Sequence, residues 1–253
     1  VWIGRLDQSL GEVRSHLKEQ GQPHEMPHLS FDLAKADYPE DILVFCAYTH
    51  LINELRPLFQ GEFAHLDNLN TAAILRSVLD AKLPLVPTIR QGIDQFKQQS
   101  FGATTIGVHV RYTDIKVPLE KLIAKVQQVA RQHTDPVIFL ATDSAAVIDQ
   151  FQAQFPRLAM IDKWFPPEGQ RLHQNWDNCP SRYDNGVEAL TDLFLLAECD
   201  RLVFSSKSSF GYVASLLSRA GDHHIFDIEL EGSWMRRVAR KSQALLKILS
   251  VKG

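Results

Sequence analysis

Cysteine is scarce in this chain, and what there is builds no framework. Of 253 residues three are cysteine: Cys46, Cys179 and Cys199. So small and odd a number excludes a disulfide-stapled scaffold. Cys46 and Cys199 sit inside apolar runs, where buried free thiols are found. A reducing compartment fits this usage, and a cytoplasmic location is expected. Long apolar runs are missing too, since nothing approaches the ~20 residues that span a bilayer. The opening residues Val1 to Leu10 lack the basic start and apolar stretch of a signal peptide, and the chain begins without methionine. Charge of one sign is also lacking. The net charge is −3, with 45% apolar and 23% charged residues, so no global field draws in nucleic acid or an acidic membrane. There is no repeat, low-complexity tract or Gly/Ser linker. No Gly-x-Gly-x-x-Gly turn occurs, which disfavours a dinucleotide-dependent oxidoreductase.

What is present, from Thr104 onward, is an alternation of two periods. Thr104 to Val110, Pro136 to Ala141, Leu158 to Ile161, Arg201 to Phe204 and His224 to Ile228 read as strands. Between and after them, Pro118 to Gln132, Ser144 to Phe155, Val187 to Cys199 and Ser208 to Ser218 place apolar residues at helical spacing. Strands apolar on both faces, separated by helices, predict βαβ units and a parallel sheet. The first hundred residues carry weaker signals. Asp7 to Gln20 and His50 to Phe59 look helical, Ile42 to Ala47 looks like a buried strand, and Pro87 to Gln99 looks helical. Three segments are expected: a smaller α/β domain over 1–98, a Rossmann-like domain over 99–233 and an amphipathic helix over 234–253. That last helix sets Arg236, Arg237, Arg240 and Lys241 beside Leu245, Leu246 and Ile248. A solvated face crossing back to the first domain is expected there, the alternative being a membrane-touching face. Lys163 to Gly186 has no convincing period, and its Trp164, Arg171, His173 and Asn175 read equally as a ligand grip or a packed surface loop.

In parallel sheets ligands sit beyond the carboxyl ends of the strands, so the residues following each strand matter most. After the first come His109, Arg111 and Asp114. His109 and Arg111, two apart, share one side. An arginine at a strand end suits a bidentate contact with phosphate. The alternatives are an Arg111–Asp114 pair that steadies a turn and a core histidine at 109. After the second strand comes Asp143, which a plain helix cap would explain. After the fourth come Ser205, Ser206, Lys207, Ser208 and Ser209, entering a helix whose first amides attract anions. Asp192 interrupts an apolar helix and needs a partner: the two adjacent N–H donors of a guanine, a salt bridge or solvent.

HVRYTD at 109–114, IFLATDS at 138–144 and TDLFLLAECDRLVFSSKSSFGYVA at 191–214 together resemble the GDP-fucose-dependent fucosyltransferases. The likeness is to the core α1,6 and nodulation fucosyltransferases, and more distantly to the protein O-fucosyltransferases. It covers about residues 87 to 215. It implies a GT-B-like fold whose second domain binds GDP-fucose without metal. It implies that Arg111 binds the β-phosphate and stabilises the leaving GDP, that His109 and Asp192 contact guanine, and that Ser208, with Ser209 beside it, helps bind phosphate. Asp143 matches an aspartate of the family's second motif. The expected reaction is an inverting transfer of fucose, or a related hexose, from a GDP-sugar to a glycan or other hydroxyl. Of the two carboxylates near Arg111, Asp114 is the candidate base, since Glu120 is expected to start a helix.

The departures are specific. Tyr112 stands where core α1,6 enzymes carry a second arginine, and the loop after Arg111 is short. The Gly/Asn-rich loop expected after the first strand is not found in residues 1–100, which implies a divergent or truncated N-terminal domain. No segment of residues 1–253 is expected to form an SH3 domain like that of the core α1,6 enzyme. No Asp-x-Asp doublet follows an apolar strand, which disfavours a metal-dependent transferase. The adjacent His223 and His224, on a strand, would point to opposite faces and hold no metal. The rival reading is a non-catalytic nucleotide-sugar or glycan-binding module derived from this fold.

Overall fold

The computed structural model describes residues 2–4, 42–44, 52–167 and 178–230. It divides into two compact units, 1–74 and 75–253. In the first, the short strands β1 (Trp2–Gly4) and β2 (Ile42–Val44) pair antiparallel. Helix α1 (Ile52–Leu55) tightens into a 3-10 turn at Arg56–Leu58. The His50–Phe59 helix thus stops early, with Pro57 inside the 3-10 turn. Arg56 then donates to the carbonyls of Asp67 (2.8 Å) and Leu69 (2.9 Å), tying down the 3-10 segment Gly61–Leu66. Helix α2 (Thr71–Lys82) spans the boundary; Ile74 is its one buried residue. The predicted Asp7–Gln20 helix and the 234–253 helix lie outside the described residues.

The second unit is the α/β body. Its elements run α3 (Pro87–Ser100), β3 (Thr105–Val110), α4 (Leu119–Ala130), β4 (Val137–Thr142), α5 (Ala145–Gln152), β5 (Leu158–Ala159), α6 (Arg182–Ala197), β6 (Arg201–Phe204), α7 (Ser209–Leu217) and β7 (Ile225–Asp227). The five strands form one parallel sheet in the order β5-β4-β3-β6-β7. Helix α3 belongs to this unit. The reason is visible in α3: Ile93 is fully buried, and Arg90 and Lys97 both engage Glu198 just beyond the end of α6. Arg219 approaches the same carboxylate at 3.9 Å, and these cations hold it ionised against the cost of burial.

Each face of the sheet is covered, which is why β3 and β4 are buried throughout. Ile106, Val108 and Val110 pack with the α4 and α5 residues Leu122, Val126, Val129, Val147 and Phe151. In α4 the buried set 119, 122, 123, 126 and 129 is a helical stripe. Each such side chain contributes about 1.5–3 kcal/mol on burial. The alternate residues of β3 face α6 and α7. Gly107 lies so close to α6 that a Cβ there would meet the Cys199 sulfur at 2.9 Å. Cys199 is free and buried, and burial pushes its thiol up. Cys179 is also free; Cys46 lies outside the described residues.

Two differences from the sequence reading bear on the site. Helix α6 begins at Arg182, five residues earlier than expected, so the aperiodic stretch is shorter. Ser181 accepts the amide of Asp184 at 3.1 Å and Asp184 supplies an acidic first turn, so a cap starts this helix before the apolar period does. His223 and His224 sit in a 3-10 turn with ring centroids 3.7 Å apart, not on a strand.

Candidate functional site

The order of the sheet locates the site. From β3 the chain moves outward through β4 to β5, then returns to the other side of β3 to lay down β6 and β7. The reversal falls between β3 and β6, and the crevice at their carboxyl ends is where such sheets bind ligands.

Register decides what meets there. β3 and β4 stay paired to their last residues, Val110 opposite Thr142, so their trailing segments leave the sheet side by side. Asp143 therefore takes the Tyr112 amide at 2.7 Å and the Thr113 hydroxyl at 2.6 Å. Arg111 Nε lies 2.7 Å from Asp114 Oδ1 and 3.4 Å from Asp143 Oδ2. Asp143 is thus no helix cap; Ser144 occupies the N-cap of α5. It is the tie that shapes the loop carrying Arg111. The Arg111–Asp114 pair expected as the plainer alternative is present. Its hydrogen bond holds the Asp114 carboxyl well below the usual carboxylate range and raises Arg111. A carboxylate so stabilised is a weak base.

Opposite this loop, β6 ends in Ser205. Its hydroxyl donates to Glu229 (2.8 Å), the Ser206 amide donates to Asp227 (3.0 Å), and Lys207 pairs with Glu229 (3.3 Å). Ser205, Ser206 and Lys207 are thus engaged by the residues at and after the end of β7. Ser208 is buried at the N-cap of α7, and its side chain makes no cap bond to the helix. The first amides of a helix have no intrahelical acceptor, so this end is electropositive. Ser209, Phe210 and Val213 of α7 line a cavity of about 400 Å³ with Arg111 and Leu193. Arg111 and the first turn of α7 therefore share one cleft. A second cavity, about 430 Å³, includes Thr113, Asp143, Ser144, Pro166 and Pro167 in its lining.

Behind the cleft wall lies a buried polar group. His109, next to Arg111 but one on β3, stacks on Phe210 with ring centroids 5.0 Å apart. Burial, with the charges of Lys163 and Arg111, lowers its pKa to about 3, so the ring is neutral at any ordinary pH. Between pH 6.5 and 3 the unfolded chain takes up a proton that folded His109 refuses, so this group's contribution to stability falls as acid is added. Asp192 is buried on α6 and pairs with Lys163, whose side chain is 6% exposed and whose ammonium lies 5.3 Å from the Phe165 ring centroid. Glu188, one turn before Asp192, also feels the Lys163 charge. His109 Nδ1, Glu188 Oε2 and Asp192 Oδ1 are buried without a hydrogen-bond partner. Native structures contain few such atoms, and each costs about 1–3 kcal/mol. Among the described residues His133 Nε2 is the only other buried side-chain polar atom left so, and these three share Lys163 as neighbour.

The sequence reading missed Lys163 and Glu188. Lys163 was legible only as a residue four past β5, at the strand's carboxyl end; Glu188 was legible as a carboxylate one helical turn from Asp192. Gly211 was missed as well. A Cβ at Gly211 would meet His109 Nδ1 at 2.9 Å and Phe204 Cβ at 3.2 Å. Gly211→Ala is expected to cost about 1–3 kcal/mol through overpacking and to weaken ligand binding by displacing His109. Thermal melts alongside ligand titration check this; an unchanged melting temperature would mean that the α7–β3 contact is looser than described.

The family model for Nodulation protein Z (NodZ) matches residues 73–246, more than half of the chain. The chain belongs to the NodZ family. The Nodulation protein Z of Bradyrhizobium diazoefficiens is 30% identical over 150 residues, 52% of this chain and 40% of that protein. That of Sinorhizobium fredii is 31% identical over 146 residues, 51% of this chain and 44% of that protein. The crystal structure of NodZ alpha-1,6-fucosyltransferase soaked with GDP-fucose is 29% identical, with TM-score 0.41, covering 53% of this chain and 43% of that one. The chain thus spans less than half the length of these relatives. Among the described residues no cluster of three or more His, Cys, Asp or Glu could hold a metal, and no helix is long and apolar enough to cross a membrane.

Proposed function

We propose that the chain binds a GDP-sugar in the crevice between β3 and β6 and transfers the sugar. The reaction is a metal-independent, inverting displacement that moves fucose, or a related hexose, to a glycan hydroxyl. One observation carries this reading: Arg111 and the opening turn of α7 line a single cleft at the point where the strand order reverses. As the sugar–phosphate bond breaks, charge grows on the diphosphate. A guanidinium and helix-terminal amides fixed beforehand around that position stabilise it more than they stabilise the ground state. Asp114 and Asp143 hold Arg111 through Nε, so it is oriented before substrate arrives. The polar group behind the cleft supports placing the guanine there, against Asp192 and neutral His109. The NodZ alpha-1,6-fucosyltransferase whose crystal was soaked with GDP-fucose belongs to the same family.

One observation favours the binding-module alternative. Asp114, the candidate base, is committed to Arg111 and has little appetite for a proton. Incubation with GDP-fucose, following GDP release with and without glycan acceptors, separates the two. Acceptor-dependent release is expected. Tight binding with no turnover on any acceptor would leave a module, and no binding of GDP-fucose would overturn both.

A further inference from the structure

Asp192 has two carboxylate oxygens in unlike situations. Oδ2 is taken by Lys163, while Oδ1 is buried without a partner. Neither the turn after β5 nor the helix α6 needs this pair: Lys163 is past the end of its strand, and α6 is anchored by its Ser181 cap and by Glu198 near its other end. Burial favours the protonated form of Asp192, and the Lys163 ammonium opposes it.

We infer that Lys163 sets the nucleobase preference of this cleft, by occupying one oxygen of Asp192 and presenting the other, still a carboxylate, to the base. This rests on the nucleotide reading above. A base edge with adjacent N–H donors, as in guanine, satisfies an anionic acceptor; an adenine edge, which sets a ring-nitrogen acceptor beside its amino group, does not. Lys163 is a positioning residue, acting on the ligand through Asp192. Among the described residues the ionisable groups around the pair are few. His109 on β3 is neutral, and Glu188 lies one turn away on α6 with Asp184 beyond it. α7 contributes only Tyr212, β4 contributes none, and the α3 cations Arg90 and Lys97 are engaged by Glu198. Among the described residues Lys163 is the cation paired with Asp192, and its charge favours the ionised carboxylate against burial.

The test is calorimetric binding of GDP and ADP to the full chain between pH 6 and 9, for the unaltered protein and for Lys163→Met and Lys163→Arg. In Lys163→Met the preference for GDP over ADP is expected to fall about 10- to 100-fold at pH 7, the loss of a charge-assisted hydrogen bond. It is expected to recover as the pH rises and Asp192 ionises unaided. Lys163→Arg, which keeps the charge, is expected to retain most of the preference at pH 7. Should Lys163→Met not fold, Lys163→Gln, which still donates one hydrogen bond, is read by the same ratio. Unchanged GDP preference in a folded variant, or a loss independent of pH, would overturn the role of Lys163 and leave the nucleotide reading standing. Failure of the unaltered protein to bind GDP would remove the nucleotide reading, and this inference with it.

Discussion

Arg111→Ala is expected to lower kcat for GDP-fucose turnover by about 10²- to 10³-fold, as the loss of one preorganised donor to a developing anion does elsewhere. That is about 3–4 kcal/mol of transition-state stabilisation, far more than any effect on folding. The Arg111 side chain is 22% exposed, and such partly exposed pairs contribute about 0–1 kcal/mol. Asp143 keeps its bonds from the Tyr112 amide and the Thr113 hydroxyl after the arginine is gone. The melting temperature should therefore move by no more than about 2–4 °C. Arg111→Lys keeps the charge but not the planar fork, and should recover only part of the rate. The variant also removes the cause of the low Asp114 pKa. A depressed carboxylate contributes stability that is complete above about 3.8 and fades as the pH falls through the folded value. The stability difference between the two proteins should thus shrink in acid. Retained turnover with a large loss of stability would instead make Arg111 a turn stabiliser.

The second large effect falls on stability. Asp192→Ala leaves the Lys163 ammonium, whose side chain is 6% exposed, without its counter-charge. Removing one partner of a buried pair costs about 3–5 kcal/mol, which in a domain of this size lowers the melting temperature by about 6–20 °C. Preference for guanine should be lost as well. The double variant Lys163→Met with Asp192→Leu separates the two consequences. An apolar pair of similar bulk is close to neutral for folding, so thermal stability should return while nucleotide discrimination stays absent. If Asp192→Ala melts like the unaltered protein, the pair is better hydrated than its burial implies.

The parts of the site that follow strands were legible in the sequence, and the parts that depend on burial were not. β3, β4 and β6 are apolar on both faces, so their ends could be read to within a residue, and with them Arg111, Asp143 and the serines before α7. The functions of Ser205, Ser206 and Lys207 could not be read, because their partners Asp227 and Glu229 arrive from β7. Asp143 looked like a cap because sequence distance hides the register that sets it beside Tyr112. Lys163 lies in no periodic segment, and only the depth at which it sits distinguishes it from a solvated lysine. Helix α2, with a single buried residue, has too weak an apolar face to stand out. The first turn of α6 is polar, and a cap rather than a period defines it.

A crystal structure with GDP soaked in tests the central claim most directly. The diphosphate is expected between the Arg111 guanidinium and the first amides of α7, with the base toward Asp192 and His109. A nucleotide bound away from that crevice, leaving the Arg111 guanidinium without contact to the diphosphate, would contradict the account.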